Sequence, residues 1–261
     1  MTNHTLVLGA TGKTGRRIAE RLRRKGVPVR AGSRSATPAF DWDDRETWAP
    51  ALEGTDAVYI SYFPDIAVPG AADTVAAFAA LARPRRIVLL SGRGEPEAER
   101  AEQLVREASP QATIVRCAWF AQNFSESFLA EPIASGAVHF PATDVREPFV
   151  DAEDIADVAV AALTEPGHEG KLYELTGPRL LSFPEAVQEI ARAQQREITY
   201  TPIAVDELIS ALDGESPDIV ELIRYLVTEV LDGRNERVAN GVREALGREP
   251  RDFAEYAQAL R

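Results

Sequence analysis

An α/β fold built on a doubly wound parallel sheet is what this sequence predicts, and three observations carry the prediction. The first is the stretch 5–15, TLVLGATGKTG, where a continuously apolar run (Leu6, Val7, Leu8) leads into glycines at 9, 12 and 15. Such a run suits a strand buried on both faces of a parallel sheet. The second is the helical spacing of Ile18, Ala19 and Leu22 that follows at once. The third is the recurrence downstream of short apolar runs separated by amphipathic stretches, as at 57–61, 86–90 and 113–117.

The glycine spacing has a physical reading. Gly9 can take backbone angles closed to other residues, Gly12 has no side chain to hold an anion away from the backbone, and Gly15 lets the helix pack close to the strand. The unpaired N–H groups at the start of that helix then face a phosphate. A glycine triplet alone is weak evidence, but between an apolar strand and an amphipathic helix it marks a dinucleotide site. The expected contacts are Gly9, Ala10, Thr11, Gly12, Lys13, Thr14 and Gly15.

The rest of the composition narrows the function. The chain has 261 residues, 45% of them hydrophobic, enough for one substantial core and a second small lobe. A net charge of -12 argues against nucleic acid as a partner. The cations Arg16, Arg17, Arg21, Arg23, Arg24 and Lys25 are read as a solvated helix face near the negative end of its dipole. A single cysteine, Cys117, excludes an internal disulfide and fits a reducing compartment. No run approaches the ~20 apolar residues that span a bilayer, so a cytoplasmic location with no membrane partner is expected. His4, His139 and His168 are far apart in sequence and flank no acids or cysteine at ligand spacing, so no metal site is expected.

A second strand is expected at 27–30. NAD-preferring enzymes place an acid at its end for the ribose hydroxyls, whereas this chain has Ser33 and Arg34, with Lys13 in the loop. That set suits a 2′-phosphate, so NADP(H) is the expected cofactor. Too few residues then separate Arg34 from Phe40 for a parallel crossover, so the third strand and its helix are shortened or missing. Asp41 and Trp42 fall near the expected adenine position, with Trp42 either covering the adenine or capping the core edge. Helices are expected at 45–52 and 71–82, and strands at 57–61 and 86–90. Ser61, Tyr62 and Phe63 open an aromatic loop at the carboxyl end of the first of these strands, while Ser91 and Gly92 follow the second; ligands lie at such ends. A charged helix at 95–108 and a strand at 113–117 lead to Trp119, Phe120, Gln122 and Asn123, which are placed to line a pocket. Beyond Phe124 come short strands at 137–140 and 147–150 and a helix at 151–163. A strand at 171–176 and a capped helix from 182 to about 193 follow, then a strand at 198–200 and helices at 217–231 and 235–246. Residues 1–124, with 151–176, should form the dinucleotide-binding domain. The segments 125–150 and 177–261 should form a smaller, discontinuous α/β lobe that covers the open end of the sheet and supplies the substrate pocket.

With these motifs in view, the chain resembles the NmrA-like branch of the atypical short-chain dehydrogenases/reductases over nearly its full length. GATGKTG, the position of Arg34, LLSG after Arg86-Ile87-Val88, TIVRCAWFAQNF, EPFVDAEDIADVAVAAL and YELTGP carry the resemblance. It implies a Rossmann-type domain binding NADP(H) and a small helical lobe. Some members reduce quinones or enones; others sense the cofactor and bind a protein partner without turnover. Short-chain reductases usually carry a Tyr and, four residues on, a Lys, where the Tyr protonates the carbonyl oxygen. Aligned here, those positions hold Gly94 and Ala98, and neither can do acid–base work. The expected function is therefore an NADPH-dependent reductase of a quinone, an enone or a similarly activated, aromatic small molecule, with hydride passed directly. Tyr62 and Ser91 are the candidate proton donors or orienting groups. The alternative is a non-catalytic NADP(H) sensor acting on a protein partner, and a homodimer is a further possibility for either.

Overall fold

The computed structural model describes residues 4–83, 85–212 and 214–260. The chain divides into two compact units, the first comprising residues up to Cys117 with Ala152–Leu175 and Asn240–Arg248, the second Ala118–Asp151, Thr176–Ala239 and Glu249–Arg261. The first boundary thus falls at Cys117 rather than after Phe124, and a short late segment returns to the first unit.

In the first unit, β1 (His4–Leu8), α1 (Lys13–Arg24), β2 (Val29–Gly32), α2 (Trp48–Leu52), β3 (Thr55–Ile60), α3 (Ala71–Ala82), β4 (Arg86–Gly92), α4 (Pro96–Ala108) and β5 (Thr113–Cys117) follow in chain order. A sixth strand, Leu172–Leu175, completes a fully parallel sheet of order β2-β1-β3-β4-β5-sixth. This is the Rossmann-type α/β class read from the sequence. Alternate residues go to opposite faces of a strand. Leu6, Leu8, Val58, Ile60, Ile87, Leu89 and Ile114 share one core with Val75 and Phe78 of α3 and Ala98, Ala101 and Val105 of α4. Their strand neighbours Val7, Tyr59, Val88 and Val115 are equally buried. Between β2 and β3 there is no strand, only a 3-10 turn (Arg45–Thr47) and the short α2. The chain crosses directly from the sheet edge, and the third strand is absent.

Local differences from the sequence reading have identifiable causes. The second strand starts at Val29, after Pro28, and extends to Gly32, where a Cβ would collide with the Leu8 side chain. The basic face of α1 is not simply solvated. Arg17 pairs with Glu153 (2.6 Å), and Arg21 pairs with Asp157 (2.7 Å) and with Glu153, on the helix Ala152–Thr164. Residues 235–240 are not helical, because Ala239 exchanges hydrogen bonds with the Thr176 hydroxyl; the helix begins only at Gly241. The helix from Pro217 is regular to Tyr225 and then widens to a π-helical segment, Leu226–Val230.

The second unit has a different core. Phe124, Phe149, Phe183 and Phe253 pack edge to face or tilted, with centroids 5.2–5.8 Å apart, and Phe140 and Trp119 join them through Phe183. Its sheets are two-stranded: Ala137–Phe140 beside Thr199–Pro202, and Arg146–Glu147 against Leu181–Ser182. Residues 148–150 add only a bridge from Val150 to Phe120. No helix among the described residues is long and apolar enough to cross a membrane.

Candidate functional site

The turn between β1 and α1 is built from backbone. Gly9 lies in the left-handed region (φ +63), and its carbonyl accepts from the Gly12 N–H at 2.9 Å. A side chain at Gly15 would put Cβ 2.7 Å from the Gly9 carbonyl carbon. Glycine is therefore required there, and the helix starts directly against the turn. Gly12 occupies the N-cap of α1, no side chain caps the helix, and no acid stands in its first turn. Thr14 is turned into the core, where its Oγ1 accepts from the Tyr59 hydroxyl (2.9 Å). It pins the turn to β3 and offers an outside ligand only its backbone. A helix start with no side-chain cap, at the positive end of the dipole and approached over bare glycine, fits a pyrophosphate.

The parallel sheet brings the other expected residues to the same end of neighbouring strands. Ser61, after β3, lies 3.7 Å from where a Cβ on Gly9 would stand. Ser33 and the exposed Arg34 follow β2; the Ser33 carbonyl accepts from Ala36 and Phe40, folding the chain back on itself there. Asp41 accepts from the Trp48 indole through its carbonyl (2.8 Å). Trp42 packs against Phe40, Trp48, Tyr62 and Phe78 at centroid distances of 4.9–6.0 Å. Tyr62 is therefore part of the aromatic cluster that begins after β2. Burial, and then the charge of Asp43, raise its hydroxyl pKa, against a hydrogen bond with Thr74. Phe63 is 74% exposed.

Ser91 is oriented away from donor chemistry. Its buried hydroxyl donates to Glu102 Oε1 at 2.6 Å, and Glu102 receives both Nε (2.9 Å) and Nη2 (2.5 Å) of Arg116. That network ties β4 to α4 and β5. The expectation that Ser91 supplies a proton thus meets a hydroxyl already committed to a carboxylate.

Two carboxyls at this end of the sheet were not singled out in the sequence reading. Asp65, in the loop after β3, accepts from the Ala67 N–H (2.8 Å). Burial raises its pKa, while that bond and the Lys13 charge pull it down. Glu95, at the N-cap of α4, is buried and makes no capping bond. The only signal in the sequence is a glutamate where the shorter Ser, Thr, Asp or Asn would cap.

Trp119, Phe120 and Asn123 belong to the second unit. Trp119 is buried edge-on to Phe183. Phe120 and Asn123 are partly exposed at the 3-10 turn Ala121–Phe124, where the Gln122 amide donates to Asp151 (2.7 Å). Cys117 is buried, which raises its thiol pKa well above the ordinary value. No group of three or more metal-ligating side chains is found among the described residues.

Residues 9–166 match the family model described as NAD(P)H-binding. The (4-alkanoyl-5-oxo-2,5-dihydrofuran-3-yl)methyl phosphate reductase of Streptomyces griseus is 33% identical, over 98% of this chain and 98% of its own. Among solved structures, the NADPH-dependent quinone oxidoreductase QOR2 of Escherichia coli, complexed with NADPH, superposes with a TM-score of 0.79 at 20% identity, covering 98% of this chain and 99% of its own. NmrA, a negative transcriptional regulator in complex with NAD, superposes with a TM-score of 0.71 at 18% identity, covering 100% and 96%.

Proposed function

This chain belongs to the NAD(P)H-binding family, and from that premise, with its resemblance to the NmrA-like branch of atypical short-chain dehydrogenases/reductases, we propose that it is an NADPH-dependent reductase of an electron-poor small molecule, a quinone or an enone. The observation that carries the proposal is the pairing of a turn moulded to a pyrophosphate with the absence of the usual acid, since Gly94 and the fully buried Ala98 stand where tyrosine and lysine are expected. An acceptor with its own electrophilicity needs orientation more than a strong acid. The α,β-unsaturated lactone in the name of the Streptomyces relative, and the quinone in that of the Escherichia coli neighbour, support this acceptor class.

Bound NADPH supplies the hydride. The residues of this chain hold and orient it: the amides of 9–15 grip the pyrophosphate, and Arg34 with Ser33 selects the 2′-phosphate. Trp42 and Tyr62 form an aromatic wall for the adenosine half, which makes Tyr62 a packing residue rather than a donor. Ser91 holds β4 in place through Glu102.

NADPH oxidation, followed at the nicotinamide absorbance band against a panel of quinones, enones and unsaturated lactones, tests the proposal. Turnover with at least one class is expected, and a flat trace throughout, from protein shown to bind NADPH, refutes it. That result would favour the second reading, a cofactor sensor. A sensor would separate NADP⁺ from NADPH strongly in affinity.

A further inference from the structure

Glu95 occupies a helix N-cap without capping the helix. Its carboxyl folds back over the end of β4, so close that a Cβ on Gly92 would stand 2.6 Å from Cδ. The residue is 8% exposed, and Oε2 is buried without a hydrogen-bond partner. Burying an ionised carboxylate oxygen without a donor is costly, and a protonated carboxyl avoids that cost. The charged groups around it come from three other elements. Asp65 faces it from the loop after β3, Lys13 acts on Asp65 from the first turn of α1, and Arg93, two residues earlier, directs Nε to Glu174 on the sixth strand (2.7 Å). Burial, and then the negative charge of Asp65, push the Glu95 carboxyl up to about 8. At neutral pH it holds a proton, at the carboxyl end of the strand where reductases of this fold do their chemistry.

We propose that Glu95 is the proton donor of the reduction, one residue along the chain from the position where a tyrosine is missing. The proposal rests on the reductase reading above. The acceptor takes a hydride, with its electron pair, on an electrophilic carbon. The displaced electron pair settles on the acceptor's oxygen, or on the carbon next to a carbonyl. That atom takes the proton from the Glu95 O–H, and the carboxylate left behind is reprotonated from solvent. One hydride and one proton together complete a two-electron reduction.

Wild type, Glu95→Gln and Glu95→Asp are compared in three measurements. Calorimetry gives NADPH affinity, expected to agree within about threefold across the set and to show that the variants are folded. Infrared difference spectra, wild type minus Glu95→Gln, should show a protonated-carboxyl band at neutral pH that fades with a midpoint at about 8. With a weakly electrophilic enone, kcat should fall about 100-fold in Glu95→Gln and less in Glu95→Asp, and the alkaline limb of the wild-type pH profile should vanish in the Gln variant. Absence of the carboxyl band overturns the proposal. If Glu95→Gln fails to fold, the wild-type spectrum at neutral pH minus that at alkaline pH reads the same band, and its absence overturns the proposal equally. Equal kcat and equal pH profiles in wild type and Glu95→Gln overturn it while leaving the reductase reading intact. Wild type that binds NADPH but oxidises it with no acceptor removes both.

Discussion

Two turns at the same end of the sheet, one after β1 and one after β4, both depend on a glycine, and each glycine excludes something different. At Gly15 an added Cβ would meet the backbone of Gly9 and Ala10; at Gly92 it would meet the tip of the Glu95 side chain. The first turn is rigid because backbone faces backbone. The second is adjustable because a carboxyl lies in it. Binding of a conserved chemical unit, the pyrophosphate, is assigned to the rigid turn, and proton chemistry to the adjustable one.

The sharpest way to break that contrast is the same substitution in both places. Gly15→Ala should destabilise the protein by about 3 kcal/mol, since overpacking against backbone cannot relax, and should cost at least about 100-fold in dinucleotide affinity. Thermal melts and calorimetric titration read both effects. Gly92→Ala should cost under about 1 kcal/mol, because the Glu95 side chain can swing away, and should bring its infrared titration midpoint down toward the ordinary carboxyl range. Equal destabilisation by the two variants would erase the distinction.

The floor of the second turn comes next in size. Glu102→Gln keeps the acceptor for Ser91 but removes the charge facing Arg116, and should cost about 2 kcal/mol in denaturant unfolding with NADPH affinity unchanged. At the edge of the first turn, Arg34→Ala should weaken NADPH binding by about 10–100-fold and NADH binding hardly at all, because only NADPH has a 2′-phosphate to lose a charge-assisted contact. An equal loss for both cofactors would remove Arg34 from its assigned role.

A pH dependence of stability is a separate test, read on the second turn alone. Glu95 has a folded pKa raised from 4.5 to about 8. The folded state therefore keeps a proton that the unfolded state has lost between these values. The associated stabilisation is whole below about pH 4.5, falls as pH rises and is gone above about pH 8. Melting temperatures of wild type and Glu95→Gln should accordingly diverge in favour of the variant as pH rises from about 5 to about 8. Parallel curves would place an ionised carboxylate there.

Much of the first unit was legible in the sequence. Ala71–Ala82 and Thr113–Cys117 match their expected limits, since alanine-rich helical spacing and a β-branched buried run are local signals. So does the 9–15 turn, where each glycine answers a local backbone need. Boundaries that depend on a distant partner were not legible. Gly32 extends β2 because Leu8 lies beside it, and the helix expected from 235 begins only at Gly241, after Ala239 has bonded to Thr176. Among the candidate site residues, Ser91 shows the same limit. Its position after β4 was plain, but its partner Glu102 stands eleven residues on and comes into reach only when α4 packs.

The sequence by itself determined the parallel α/β fold, a third strand shortened or missing, the glycine turn of 9–15 and the lack of a Tyr–Lys pair at 94 and 98, because period, spacing and chain length fix these within a few residues. Only the tertiary structure decided which side chains are engaged and which acid is buried. Ser91 is engaged by Glu102, Tyr62 is packed with Trp42, and Glu95 is set over Gly92 opposite Asp65. Burial and the distance between charges set the protonation of a carboxyl, and both arise only when segments far apart in the chain meet at one end of the sheet.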